Sequence, residues 1–213
     1  VSTQEDLKAA LTQTFGPWLR TKGFKGSSPT WRLTSELGDI AIVNVQSSMS
    51  STSSDLRCTV NLAVAPEPWL SYERFRLSRP LKSPPESIGL FKQRLAAPEA
   101  SGDANRWWIV RSSSDAETVV REVMTQLQAT GLPQLNHLLI RSNFLRAIAD
   151  GELGFFRRGG FDVYFEIADL VMHADTMSQM EREDALEKLS RNHPDFNSGQ
   201  LSNWLESRLA ETT

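Results

Sequence analysis

Between Ile40 and Ala65 the chain alternates. Ile40, Ile42, Asn44 and Gln46 fall on one side of an extended strand and Ala41, Val43, Val45 and Ser47 on the other, because strand side chains point to opposite faces in turn. The run Leu56 to Ala65 repeats the pattern. Cys58, Val60, Leu62 and Val64 share one face, and Arg57, Thr59, Asn61 and Ala63 the other. Both runs are rich in β-branched residues, which suit a pleated, half-buried surface. They predict an antiparallel hairpin. Its connector, Ser47 to Asp55, is small and polar; it buries too little apolar area to offset ordering entropy, so a mobile tip is expected. Such a tip serves either as a solvated loop or as a partner site.

The flanking pattern is helical. Ser2-Thr3-Gln4-Glu5 has the spacing of a capping box, and Leu7, Ala10, Leu11, Phe15 and Trp18 follow with helical period. Pro17 is expected to bend or end this helix near Gly16. Gly26 to Pro29 reads as a loop and Thr30 to Ser35 as a short strand. Pro66 to Pro98 holds six of the ten prolines, so it is expected to be a largely irregular cover over the sheet, with a short helix over Pro85 to Leu95. Asn105 to Arg111 returns to strand character, with Trp107 and Ile109 on one face and Trp108 and Val110 on the other. Ser114 to Glu117 reads as a second capping box, opening a helix toward Thr130. Gly131 is expected to end that helix in a left-handed conformation, and Pro133 to begin another that runs to Ile148. Beyond Gly151 the pattern is wholly helical, with an apolar stripe of Phe161, Tyr164, Phe165, Ala168, Val171 and Met172. Leu201, Trp204, Leu205 and Leu209 mark the last helix.

These elements predict an α+β fold: an antiparallel sheet of about four strands packed with helices over residues 1–140, then an all-helical extension over 141–213. Composition supports a sizeable core, with six Trp and ten Phe among 213 residues. No run approaches the roughly 18 apolar residues of a membrane span, and residues 1–20 lack a signal-peptide pattern. The single cysteine, Cys58, is expected to pack as a small buried hydrophobe. A cytoplasmic setting follows as the expectation. The net charge of −3 hides an asymmetry: residues 1–114 carry 14 basic and 10 acidic side chains, and residues 115–213 carry 9 and 16. The acidic, helical part suits a basic protein partner, or is simply a solvated helical surface, and suits nucleic acid poorly.

The pieces Gly23-Phe24, Trp31-Arg32, Ile42 to Ser48, Thr59 to Val64 and Trp107-Trp108 resemble, in order and spacing, an uncharacterised bacterial family, the domain of unknown function 4304 family. The resemblance covers about Leu7 to Leu139. It implies an antiparallel α+β domain and a mostly bacterial, cytosolic setting, and it brings no activity and no catalytic residues. Ala63 stands where the family more usually carries glycine.

Candidate chemistry is sparse. His137, His173 and His193 are far apart in sequence, and no metal or cofactor is expected. Asp162, Glu166, Asp169 and His173 share one helix face, which reads either as a cation or general-base site or as the solvent side of an amphipathic helix. Arg157-Arg158-Gly159-Gly160 lacks the lysine and preceding strand of a phosphate cradle. Tyr72 to Lys82 interleaves aromatic and basic residues, including Arg74 and Arg76, in the manner of a single-strand binder or of a loop anchored by its rings. Asn44, Gln46 and Asn61 are polar positions within apolar strands. They brace the proline-rich cover, or line a cleft with Arg57 and Trp31. The reading that follows is a non-enzymatic bacterial protein-binding module, immunity-like (toxin-neutralising) or defence-associated. A small-ligand binder or enzyme using the sheet face is the alternative, with nucleic-acid binding through residues 72–82 as the second.

Overall fold

The structure is a computed structural model that describes residues 2–98 and 107–212, with side chains through residue 208. The side chain of Leu209 and the start of the strand expected at Asn105 lie outside what it describes. Helix α1 (Thr3–Ala10) opens on the expected capping box: Ser2 Oγ accepts from Glu5 N, and Glu5 Oε2 accepts from Ser2 N at 2.9 Å. Of the two outcomes expected at Pro17, an end to the helical run is not seen. A π-helical turn, Leu11–Phe15, leads into α2 (Gly16–Thr21), and Pro17 sits in the first turn of α2, where its missing N–H costs nothing.

Four strands follow: β1 (Lys25–Ser27), β2 (Thr30–Thr34), β3 (Ile40–Ser47) and β4 (Leu56–Ala65). Next come α3 (Glu67–Leu77), a 3-10 turn at Glu86–Ile88, β5 (Phe91–Leu95) and β6 (Trp108–Val110). The proline-rich segment is thus more regular than expected. Pro66 and Pro68 flank the first turn of α3, where proline is compatible with a helix, and the stretch expected to be helical over Pro85 to Leu95 ends in a strand. The sheet is antiparallel, in the order β1-β2-β3-β4-β5, with β6 pairing the first residues of β4. It has six strands where about four were expected: β1 falls partly within the stretch read as a loop and β5 within the one read as a helix, while β6 lies in the stretch read as a strand.

Pairing of Asn44 with Asn61 sets the register of the central hairpin and separates the two sheet faces. Trp31, Val43, Val45, Val60, Leu62, Val64 and Trp108 line the apolar face and are buried. Helix α4 (Ser113–Gln126), a π-helical turn at Leu127–Gly131 and α5 (Leu132–Leu138) cover it together with α1. The cap of α4 is Ser112, whose Oγ accepts from Asp115 N, rather than the expected Ser114. Gly131 is right-handed, at φ −66°, and does not end the helix. What it supplies is space, since a Cβ there would lie 2.6 Å from Leu127 Cδ1 and 3.1 Å from Leu62 Cδ1. Cys58 packs on this face, and burial pushes its thiol up to about 12.

The helix expected from Pro133 to Ile148 breaks at Ile140, which is extended; the His137 carbonyl accepts from Ile140 N at 3.3 Å and from Asn143 Nδ2 at 3.1 Å. Helix α6 (Arg141–Asp150) then leads into a hairpin, β7 (Glu152–Leu153) and β8 (Phe156–Arg157), where only helix was expected. Two-residue strands between glycines carry no periodicity to read. The hairpin docks on the sheet edge: Phe155 N donates to Lys92 O at 2.8 Å, beside a parallel bridge between Lys92 and Gly154. Helices α7 (Asp162–His173), α8 (Gln179–Asn192) and α9 (Gly199–Thr212) complete the chain. Both α7 and α9 pack on α3, and their buried side chains join the same apolar core as the sheet.

Ion pairs brace that junction. Arg141 grips Asp39, and Arg208 bonds Asp175 at 2.6 and 2.7 Å and Glu67 at 3.2 Å. The bonds from Arg208 hold the Asp175 carboxyl below the usual range, helped by the charges of Arg182 and Arg141. A depressed carboxylate contributes stability above its unfolded value, about 3.9, and loses it as pH falls through the folded value. Chemical denaturation of wild type and Asp175→Asn should therefore show a gap at neutral pH that narrows below about pH 4. A gap that does not change with pH would contradict the clasp.

Candidate functional site

The second face of the sheet is polar toward one end. Thr30, Asn44, Asn61 and Gln46 meet there as an amide ladder. Asn44 Nδ2 donates to Thr30 Oγ1 at 2.9 Å. Asn61 Nδ2 donates to Gln46 Oε1 at 2.8 Å and to Asn44 Oδ1 at 3.4 Å. Asn44 and Asn61 are buried while Gln46 is exposed. With its oxygen taken, Gln46 presents its Nε2 donors outward.

The cover segment lies over the rest of this face. Arg32 Nε donates to Pro84 O at 2.8 Å, Lys92 Nζ to Ser87 O at 2.9 Å and Trp69 Nε1 to Ile88 O at 2.9 Å. Gly89 permits the close approach, because a Cβ there would lie 2.6 Å from the Cβ of Ala63. The amides do not brace this segment directly; they bond one another and stand beside it.

What they border is a crevice of 530 Å³, within the range of roughly 300–1,000 Å³ usual for small binding sites. Asn44, Gln46 and Ser47 form one wall, Lys8 of α1 and Leu11 of the π-helical turn another, and the Ser28-Pro29 turn and Glu86 the rim. It exists because β3 outruns its neighbour. Pairing with β2 ends at Thr30 and Asn44, while β3 continues to Ser47. Val45 N, on the open edge, donates to Pro29 O at 2.9 Å. Ser48 N bonds Arg57 O across the hairpin, so Ser47, one residue back, turns its N–H and C=O to the open edge. The hairpin tip beside it is hydrogen-bonded rather than bare: Thr52 N bonds Asp55 O at 2.9 Å, and Thr3 Oγ1 bonds Ser53 O at 3.2 Å.

Of the residues singled out in the sequence, Asn44, Gln46 and Asn61 come together. Arg57 shares their face at the far end of β4, opposite Ile109 and outside the crevice. Trp31 does not belong to the cleft. It pairs with Val43 on the opposite face and is wholly buried, edge-on to Phe15. Ser47 opens the connector read as a solvated loop or a partner site; Lys8 and Glu86 were not anticipated, come from separate elements, and are connected by no spacing in the chain.

The other candidates are placed apart. Arg74 lies 3.7 Å from Glu67, and Arg76 bonds Glu73 at 2.7 and 3.1 Å. Of the neighbouring rings, Trp69 and Tyr72 are buried. On α7 the four aligned polar residues make separate contacts. Asp162 Oδ1 accepts from Gly159 N at 2.9 Å, at the start of the helix. Glu166 reaches Asn192 at 3.2 Å and His193 at 3.4 Å, and Asp169 lies 3.3 Å from His173. Among the described residues no group of three or more His, Cys, Asp or Glu is placed to hold a metal ion, and no helix is long and apolar enough to cross a membrane.

Fold and site together define an antiparallel α+β domain with an edge crevice and a helical segment laid against its flank. The chain belongs to the family described as Domain of unknown function (DUF4304), whose model matches residues 15–137. No curated protein and no solved structure matches the chain. The match covers α2, the six-stranded sheet, α3, α4 and nearly all of α5; α1 lies before it and α6 to α9 lie beyond it.

Proposed function

We propose that this protein is a non-enzymatic protein-binding module that seats an extended segment of its partner in the crevice at the open edge of β3. One observation carries the reading: the amide ladder ends in the exposed Gln46 beside the outward-facing backbone of Ser47. Amides and backbone groups offer fixed donors and acceptors without exchanging protons, which suits recognition of another main chain. A strand that outruns its neighbour is the usual template for such pairing. Lys8 and Glu86 at the rim add one charge of each sign. A basic partner, such as a toxin neutralised by this protein, would also be drawn by the exposed carboxylates of α8, among them Glu183, Asp184 and Glu187.

Gln46→Ala is expected to abolish stoichiometric capture of the partner and to lower the melting temperature by only a few degrees, because the buried Asn61 amide loses its 2.8 Å acceptor while the rest of the ladder stays paired. The check is a pull-down from the native bacterium with wild type, Gln46→Ala and a charge-reversed α8 (Asp184→Lys with Glu187→Lys). Capture lost only with the α8 variant would move the interface to the helices and refute the crevice.

A further inference from the structure

A second groove lies at the other edge of the sheet, where the C-terminal segment meets the matched domain. Its volume is 450 Å³. One wall is Gln93 of β5, another is Gln134 and His137 of α5, a third is Arg146 and Asp150 of α6, and the docked hairpin closes it with Phe155. We propose that this groove binds a small zwitterion with an apolar side chain, a free amino acid or a short peptide.

The charges carry the argument. Arg146 and Asp150 stand one turn apart on α6, the spacing at which opposite charges commonly pair, yet neither has an ion pair or hydrogen bond among the described residues. Both line the groove, so a cation and an anion are left facing one small volume. The other two charges of the lining, Glu152 and Arg157, are 2.5 Å apart and satisfy each other. Neutral donors share the lining with these charges. Asn143 Nδ2 bonds His137 O at 3.1 Å and lies 3.2 Å from His137 Nδ1. The carbonyl can only accept, so the amide nitrogen is fixed there and Nδ1 accepts its second hydrogen. The imidazole proton then sits on Nε2, which makes no bond within the described chain. Gln93 and Gln134 likewise have side-chain amides without partners among the described residues. A carboxylate met by Arg146, His137 Nε2–H and these amides is well served. An ammonium a few ångströms away finds Asp150. Phe91, Leu138 and Phe155 supply apolar surface for a side chain, and Phe155 is 57% exposed at the lip.

The test is a titration of the labelled full chain, followed by amide NMR, with L-phenylalanine, L-leucine and glycyl-phenylalanine, against benzoate and phenethylamine as single-charge probes. At least one zwitterion should give saturable shifts at Gln93, Gln134 and His137. Arg146→Gln and Asp150→Asn should each weaken it about tenfold, equal to about 1.4 kcal/mol, with melting temperature unchanged because both side chains are exposed. Benzoate and phenethylamine should bind at least as weakly as zwitterions bind those variants. Absence of saturable shifts with all three zwitterions overturns the proposal. So does benzoate binding as tightly as the zwitterions with Asp150→Asn silent.

Discussion

Asp39→Ala should lower the unfolding free energy by about 3 kcal/mol, near the lower end of the range for removing one partner of a buried ion pair. The Asp39 side chain is 2% exposed. Its carboxylate accepts from Glu67 N at 2.8 Å, at the positive end of α3, and grips the Arg141 guanidinium from 102 residues away. Truncation leaves the first N–H of α3 without its acceptor and Arg141 without its counter-ion. Arg141 is 25% exposed, so water recovers part of the loss, which keeps the expectation from the top of the range. Arg141→Ala should cost less, because Asp39 retains the Glu67 N–H. Urea denaturation of both single variants and the double variant gives the coupling directly. If Asp39→Ala costs under about 1 kcal/mol, the pair is behaving as a surface contact.

Gly154→Ala should detach the small hairpin from the sheet, at a cost of about 3 kcal/mol. Two effects add. Gly154 has φ +75°, and a Cβ there would stand 2.0 Å from Lys92 O, the acceptor that holds Phe155 N. Backbone cannot yield as a side-chain tip can. Gly159 is the control: its φ is +91° and nothing lies within 4 Å of its Cβ position, so Gly159→Ala carries only the conformational cost of about 1–2 kcal/mol. Hydrogen exchange should show the Phe155 amide losing protection in Gly154→Ala while the amides of β3 and β4 keep theirs. Equal costs for the two alanine variants would mean that the hairpin is not seated as described.

How far the sequence discloses this molecule depends on how much of each element faces a core. Strands β3 and β4 are long and polar toward one side, so their alternation is plain, and the faces of Asn44, Gln46 and Asn61 follow from it. That the two asparagines are opposite one another does not, because register is a property of the pairing. Helix α3 hides behind Pro66 and Pro68, which read as breakers although a helix accepts proline in its first turn. Strand β5 (Phe91–Leu95) holds no β-branched residue, and the β7–β8 hairpin is fixed by Gly154 against Lys92 rather than by any local preference. The amide half of the crevice was therefore legible. Its other half was not, because Lys8 and Glu86 arrive from a helix and a turn 78 positions apart. Trp31 was misplaced for the same reason: one residue of register carries a side chain to the opposite face.

The clasp of Arg208 on Glu67 joins residues 141 positions apart. Closing so long a loop costs chain entropy before any contact repays it. This contact therefore belongs late on the folding route, after the hairpins have formed. An interaction absent from the folding transition state governs how fast the native state is left rather than how fast it is reached. Helix α9 thus acts, through its hold on α3, on the lifetime of the folded sheet.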